Sequence, residues 1–174
     1  MATTTESVTI DNIEVNVYEP PVSWQWRQLA RSTKLSLMML SEPITTTTAR
    51  NTTTTGMHEW AVAQIDPFGP SPPDISTLAV GRGTTATTEG DDALTDEVSR
   101  VAVTSLTREG ATLRVKTFLD KDNGNVDVSA GESLSEVGLY ADDTLLNHAI
   151  LDNDIDKTDT KTATIDVLII FDSP

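Results

Sequence analysis

Period-two alternation constrains this chain more than any other feature. Apolar and polar residues take turns over short runs, and the runs end in Gly, Pro, Asn or Asp at hairpin spacing. Such a pattern sends alternate side chains to opposite faces of a strand and leaves no long 3.6-residue stripe for a helix. Val8–Ile10 and Ile13–Val17 alternate about Asp11-Asn12 and predict a small hairpin that ends at Pro20-Pro21. Trp24, Trp26 and Leu29 precede Leu35, Leu37 and Met39; the second group alternates as a strand, and the first suits a strand or a short helix. Met57–Ile65 reads as another strand.

The stretch DPFGPSPPD, Asp66–Asp74, holds four of the eight prolines and predicts an extended linker. The main boundary is placed there. It separates a strand-rich N-terminal docking segment, residues 1–70, from a second unit, residues 71–174. In the second unit Ile75–Val80, Val101–Leu106, Ala111–Leu119, Leu134–Tyr140, Leu145–Leu151 and Thr162–Asp172 read as strands. Arg108-Glu109-Gly110 and Ala141-Asp142-Asp143 supply two of the turns. Ala93–Arg100 fits either one or two helical turns or an extension of the next strand. Six strands without long intervening helices predict an all-β fold, an antiparallel β-sandwich of the jelly-roll or immunoglobulin-like class, with the N-terminal segment extended against it.

The tract ITTTTARNTTTT, Ile44–Thr55, has strand-favouring threonines but no residue to anchor a core. A mobile loop or edge hairpin is the default reading. Within it, Asn51-Thr52-Thr53 matches the acceptor pattern for N-glycosylation, which makes Asn51 a candidate modification site.

Charge limits the partners. The chain carries a formal net charge of -15 and has only five lysines, so as a whole it repels nucleic acid and anionic membrane surfaces. An excess of acidic residues also suits a protein kept soluble in concentrated salt, where its own repulsion is screened within a few Å. There is no cysteine, which removes disulfides, thiolate metal sites and cysteine nucleophiles. No signal peptide is visible, and no run of about 18 apolar residues predicts a membrane span.

After the strand Ile75–Val80 comes Gly81-Arg82-Gly83, the spacing of a dinucleotide-binding turn. The fit stops there. TTATTEGDD follows where a helix must present its amides to a pyrophosphate, and Asp91 and Asp92 repel phosphate. The glycines are instead expected to let the chain leave the strand with unusual dihedrals. The wider stretch LAVGRGTTATTEGDDALTDEVSR, followed by LSEVGLY, resembles a pattern of tailed-phage tail-fibre-like and related virion proteins, including those of archaeal tailed viruses. The matching residues include Ala79, Val80, Gly81, Gly83, Thr84, Thr85, Ala93, Leu94, Glu97, Arg100 and Gly138. Asn147 departs from the pattern, which often has Arg there. The resemblance spans about Ile75 to Asp172. It implies a β-sandwich that assembles symmetrically on a virion, most often as a trimer, among other virion structural proteins. On residue grounds Glu97 pairs with Arg100 three positions on, or Glu136 reaches Arg100 across the sheet. Gly138 within a strand marks a bulge or a close backbone approach.

Chemistry is sparse. His148 falls on a strand with Leu146 and Ile150 and reads as a satisfied, half-buried histidine. No nucleophile elbow accompanies it, and no enzymatic activity is expected. The loop Asp120–Asp127, DKDNGNVD, can offer Asp120, Asp122 and Asp127 to calcium or another hard cation, although Gly124 and Gly131 break the EF-hand frame. Its other reading is a hydrated hairpin loop turning at Asn123-Gly124. No other cofactor is indicated. Trp24, Trp26 and Trp60 are either core residues or anchors by which the N-terminal segment docks on a neighbouring subunit. The whole describes a non-enzymatic virion protein of a tailed virus with a salt-loving host. It acts by homo-oligomeric assembly, with binding to the host surface as the second reading.

Overall fold

In the computed structural model the described residues are 7–19 and 42–172, so Trp24, Trp26, the strand or short helix expected around them and the strand expected around Leu35–Met39 lie outside them. The chain forms β1 (Ser7–Tyr18), β2 (Thr45–Thr53), α1 (Thr55–Ile65), β3 (Ile75–Gly81), β4 (Glu97–Ala102), β5 (Ser105–Glu109), β6 (Thr112–Leu119), β7 (Leu134–Ala141), β8 (Thr144–Ile155) and β9 (Thr162–Asp172). A short 3-10 turn, Val128–Ala130, precedes β7. The fold is all-β and antiparallel, as the alternation predicts. Its nine strands make one curled sheet in the order β4-β3-β7-β8-β2-β1-β9-β6-β5.

Two features curl it. β2 pairs with β1 through Thr45–Thr48 and with β8 through Ala49–Thr53, so one strand serves two ladders and turns the sheet between them. At the far side, only Val103 and Thr104 separate β4 from β5, the two ends of the strand order. Val103 donates to Ser76 beside β4, and Thr104 donates to Lys116 beside β5. One hydrophobic cluster fills the inside, with Ile13, Val15, Leu78, Val115, Val137, Leu139, Ala149, Ile165 and Val167 contributed by both halves of the sheet.

The structure departs from the sequence reading in four places. First, Val8–Val17 is one strand, not a hairpin: β1 runs through Asp11-Asn12 with a register shift against β9. An irregularity in the ladder absorbs the break in alternation that looked like a turn. Second, the threonine tract is an interior strand. Its hydroxyls are spent on neighbours: Thr46 donates to Asn16, Thr48 to Asp152 and Thr54 to the Leu145 carbonyl, while Thr47 accepts from the Asn153 amide. β-branched residues with satisfied hydroxyls suit the middle of a sheet, and Thr47 and Thr54 are buried there. Third, Met57–Ile65 belongs to a helix, α1, lying against β8. Met57 and Trp60, three apart, face the core, while Val62 and Ile65 stay exposed. Fourth, Val101 and Leu106 are in different strands, because the chain crosses from β4 to β5 between them.

Ala93–Arg100 leads into a strand rather than a helix. The proline-rich stretch is irregular, and strands from both sides of it join one sheet. No helix among the described residues is long and apolar enough to cross a membrane.

Candidate functional site

All eight residues of β7 are buried, which requires that both faces of the strand be covered. One face meets the core. The other, carrying Glu136, Gly138 and Tyr140, lies under the irregular segment Arg82–Asp96, which arches from the end of β3 to the start of β4. Leu94 from this segment packs with Ala79, Tyr140 and Leu145 in a small second apolar cluster. Its amide donates to the Tyr140 hydroxyl at 3.3 Å.

Glu136 holds the segment at both ends. Its Oε1 accepts from the amides of Gly83 (2.9 Å) and Asp96 (2.7 Å), and its Oε2 accepts from the amide of Thr95 (3.0 Å). This explains the two glycines. Neither Gly81 nor Gly83 has a positive φ, so the expected unusual dihedrals are absent. Space is what they supply: a Cβ on Gly83 would lie 2.6 Å from the carboxylate carbon and both oxygens of Glu136. On Gly81 it would also lie 2.5 Å from the Asp96 carbonyl oxygen. Gly138 is a close approach too, with Leu94 and Leu145 methyl groups 2.9 Å from where its Cβ would be.

His148 on β8 lies opposite Gly138. A register shift at Leu139/Tyr140 separates it from Leu146, which belongs to the main core, so the shared face expected from simple alternation is lost. The ring is buried, with Nε2 2.8 Å from Glu136 Oε2 and Nδ1 2.6 Å from Asp91 Oδ2. Asp91 in turn accepts from the amide and hydroxyl of Thr88. With both carboxylates ionised, only the doubly protonated imidazolium donates to both. Burial pushes the Glu136 carboxyl up, but hydrogen bonds from Asp96, Thr95, His148 and Gly83 outweigh it and hold the group below its ordinary value. Asp91 is likewise lowered: burial, the largest single effect, pushes it up, but its bonds from Thr88 and His148 together outweigh it.

Around this chain, Arg100 makes the local pair with Glu97 (2.7 Å), and its guanidinium carbon stacks 3.7 Å above the Tyr140 ring. Glu136 does not take the Arg100 role; its oxygens are committed to the segment above it. Arg82 pairs with Asp96 at 2.9 Å and with Glu132.

The loop Asp120–Asp127 is organised differently. The fully buried Lys157 places its ammonium among the Asp120 carbonyl (3.0 Å), Asn125 Oδ1 (2.8 Å) and the Thr158 carbonyl (3.2 Å). Three donors meet three acceptors, so the oxygen cage holds a cation from the chain itself. Burial lowers the Lys157 amine to about 8, against the opposing pull of Asp120, Asp122 and Asp159. The three aspartates have separate tasks. Asp120 Oδ1 accepts from the Lys121 amide, Asp122 pairs with the Lys121 side chain, and Asp127 caps the 3-10 turn through Ser129 and Ala130. The loop turns at Lys121-Asp122, where the Asn123 amide donates to the Asp120 carbonyl at 3.1 Å, and Gly124 follows at φ +63°. β6 and β7 on either side do not pair, so the expected hairpin turning at Asn123-Gly124 is not formed. No group of three or more metal-ligating side chains is gathered among the described residues.

Asn51 sits in β2 opposite Ala149, with its Oδ1 accepting from the buried Asn147 amide, rather than in a surface loop. Trp60 donates to the Pro73 carbonyl at 2.8 Å, tying α1 to the linker. It also lines a cavity of about 470 Å³ shared with Gln64, Ile65, Arg108 and Leu113.

Sequence reasoning missed Asp91, the role of Glu136, and Lys157. A signal existed for Glu136 alone: SEVGLY carries a carboxylate and LLNHAIL an imidazole inside an apolar strand, and hairpin register brings the two strands together. No protein-family model, curated protein or solved structure matches this chain.

Proposed function

We propose that this chain is a non-enzymatic structural module of a tailed virion, acting by symmetric self-association and docking on other virion proteins. One observation carries the reading. Thr84, Thr85 and Ala93 of the virion-like pattern are exposed, but six others, Gly81, Gly83, Leu94, Glu97, Arg100 and Gly138, meet Glu136 and Tyr140 in one contiguous unit. Every one of the six packs, caps or pairs. The buried carboxylate and imidazole spend their hydrogen bonds on the protein itself, and among the described residues no hydroxyl or thiol is poised against His148. Such a unit stiffens a scaffold; it does not activate a substrate. The acidic surface fits assembly in a salt-rich cell, where screening lets like-charged copies approach. Closed symmetry with few copies, a trimer first, is the expected form.

Light scattering in molar KCl tests the reading. A defined closed oligomer is expected, dissociating as salt is withdrawn; a monomer at every salt concentration and protein concentration refutes it.

A second reading, binding to a host-surface receptor or glycan, is favoured by the cavity beside α1. Trp60 offers an aromatic ring there, and Gln64 and Arg108 offer donors. Specific retention of the purified protein on host envelopes supports this reading, and loss of retention in Arg108→Ala would place the contact.

A further inference from the structure

We infer that the segment Arg82–Asp96 is a proton-controlled strap, held over the outer face of β7 and β8 by the chain Asp91–His148–Glu136. The inference is independent of any virion role.

The geometry makes closure depend on one proton. Both ring nitrogens of His148 face carboxylate oxygens, at 2.6 and 2.8 Å, in a site where the ring is 2% exposed and Glu136 is fully buried. The imidazolium satisfies both. Removal of either proton turns one nitrogen into an acceptor against a carboxylate, with little water to relieve it. Asp91, 22% exposed, is the partner able to leave. Protonation of the carboxylates breaks the same chain from the other side, because Glu136 then loses acceptor strength toward three amides.

The second histidine reinforces the assignment. The chain has two histidines, and both lie beside strap carboxylates: the exposed His58 on α1 is 3.4 Å from the exposed Glu89. The other titratable and charged groups at the strap and the site beneath it include Arg82 with Asp96 and Glu132, Asp92 on the strap itself, Glu97 with Arg100 and nearby Asp143, and the Tyr140 hydroxyl, which accepts from the Leu94 amide and is pushed up by burial. None of these contacts His148. The other strap fastenings are neutral: Thr55 donates its amide to the Glu89 carbonyl, and Thr52 bonds Thr87. An opened strap uncovers the small apolar cluster of Ala79, Leu94, Tyr140 and Leu145 without touching the main core.

Three amides report the state directly: Gly83, Thr95 and Asp96, each donating to Glu136. Their hydrogen-exchange protection, corrected for intrinsic rates, is to be measured from about pH 3 to about pH 10. Val137 and Ile165 serve as core controls. The expected result is at least a tenfold fall in protection at both the acid and the alkaline end, with the core amides still protected. In His148→Gln, whose side chain donates from one nitrogen only, the three amides are expected to be less protected throughout and to lose the alkaline change. Should that variant fail to fold, Asp91→Asn on the exposed end of the chain gives the same test, with a flatter acid change expected. Protection that does not vary with pH in the wild-type protein overturns the strap. So does loss that occurs together with the core amides, since the segment is then no separate unit.

Discussion

Glu136→Gln is the most informative single substitution, because it keeps shape and removes one acceptor. The carboxylate receives two donors on each oxygen: Gly83 and Asp96 on one, Thr95 and His148 on the other. A glutamine has one oxygen and one NH2. Turned one way, its NH2 faces the amides of Gly83 and Asp96; turned the other, it gives at best one N–H to His148 Nε2, leaving its second N–H and the Thr95 amide unpaired in a site with no exposure to water. Each buried donor left without a partner costs roughly 1–3 kcal/mol, so the loss is about 4 kcal/mol. Against a total stability of roughly 5–15 kcal/mol, that is a severe effect. With a urea slope of roughly 2 kcal/mol per molar, the unfolding midpoint falls by about 2 M. The pH dependence adds a signature. The folded-state value of Glu136 is depressed, so its contribution is present above the ordinary carboxylate value and is lost as pH falls through the folded value. The variant is expected to be flatter in that acid window than the wild type. Urea denaturation at neutral and acid pH measures both. A loss below about 1 kcal/mol at neutral pH refutes the claim that this carboxylate holds the segment in place.

Other consequences are quick to check by the same denaturation assay. Gly83→Ala puts a methyl group 2.6 Å from an anchored carboxylate and is expected to cost about 3 kcal/mol by overpacking, whereas Gly110→Ala, in open space at φ +61°, costs about 1 kcal/mol for its left-handed backbone. Lys157 titrates near 8 when folded and near 10.5 when unfolded, so between those values the unfolded chain binds more protons and stability rises with pH, by about 3 kcal/mol at most. Lys157→Met removes that rise, whatever it does to the absolute level. Thr52→Pro places a proline opposite His148 in an interior strand and is expected to abolish the folded circular-dichroism signal, while a mobile-loop tract would have tolerated it.

The N-terminal segment takes on a definite meaning. β1 and β2 lie in the middle of the sheet, between β8 and β9, so truncation of residues 1–70 removes two interior strands. An assembly defect in such a truncated chain would report unfolding; substitutions on exposed Ile65 or Phe68 are the cleaner probe of a contact surface.

What the chain determines by itself is local. The hairpin of β7 and β8 turns at Asp142, with φ +49°, and that of β5 and β6 turns at Gly110; alternation and turn residues within a dozen positions settle both. The Glu97–Arg100 pair is legible for the same reason. The threonine tract reads as a loop because its neighbours, β1 and β8, are remote in sequence; its hydroxyl partners Asp152 and Asn153 lie about a hundred residues away. The Met57–Ile65 run is ambiguous over one short window, and only packing on β8 selects a helix. Gly81 and Gly83 look like a turn until Glu136, more than fifty residues on, occupies the space they leave. Likewise, the Asp120 carbonyl and Asn125 Oδ1 of the Asp120–Asp127 loop gather around Lys157, more than thirty residues on. Tertiary structure decides these points because a buried charge must find its partners wherever the fold brings them, and sequence spacing does not encode that distance.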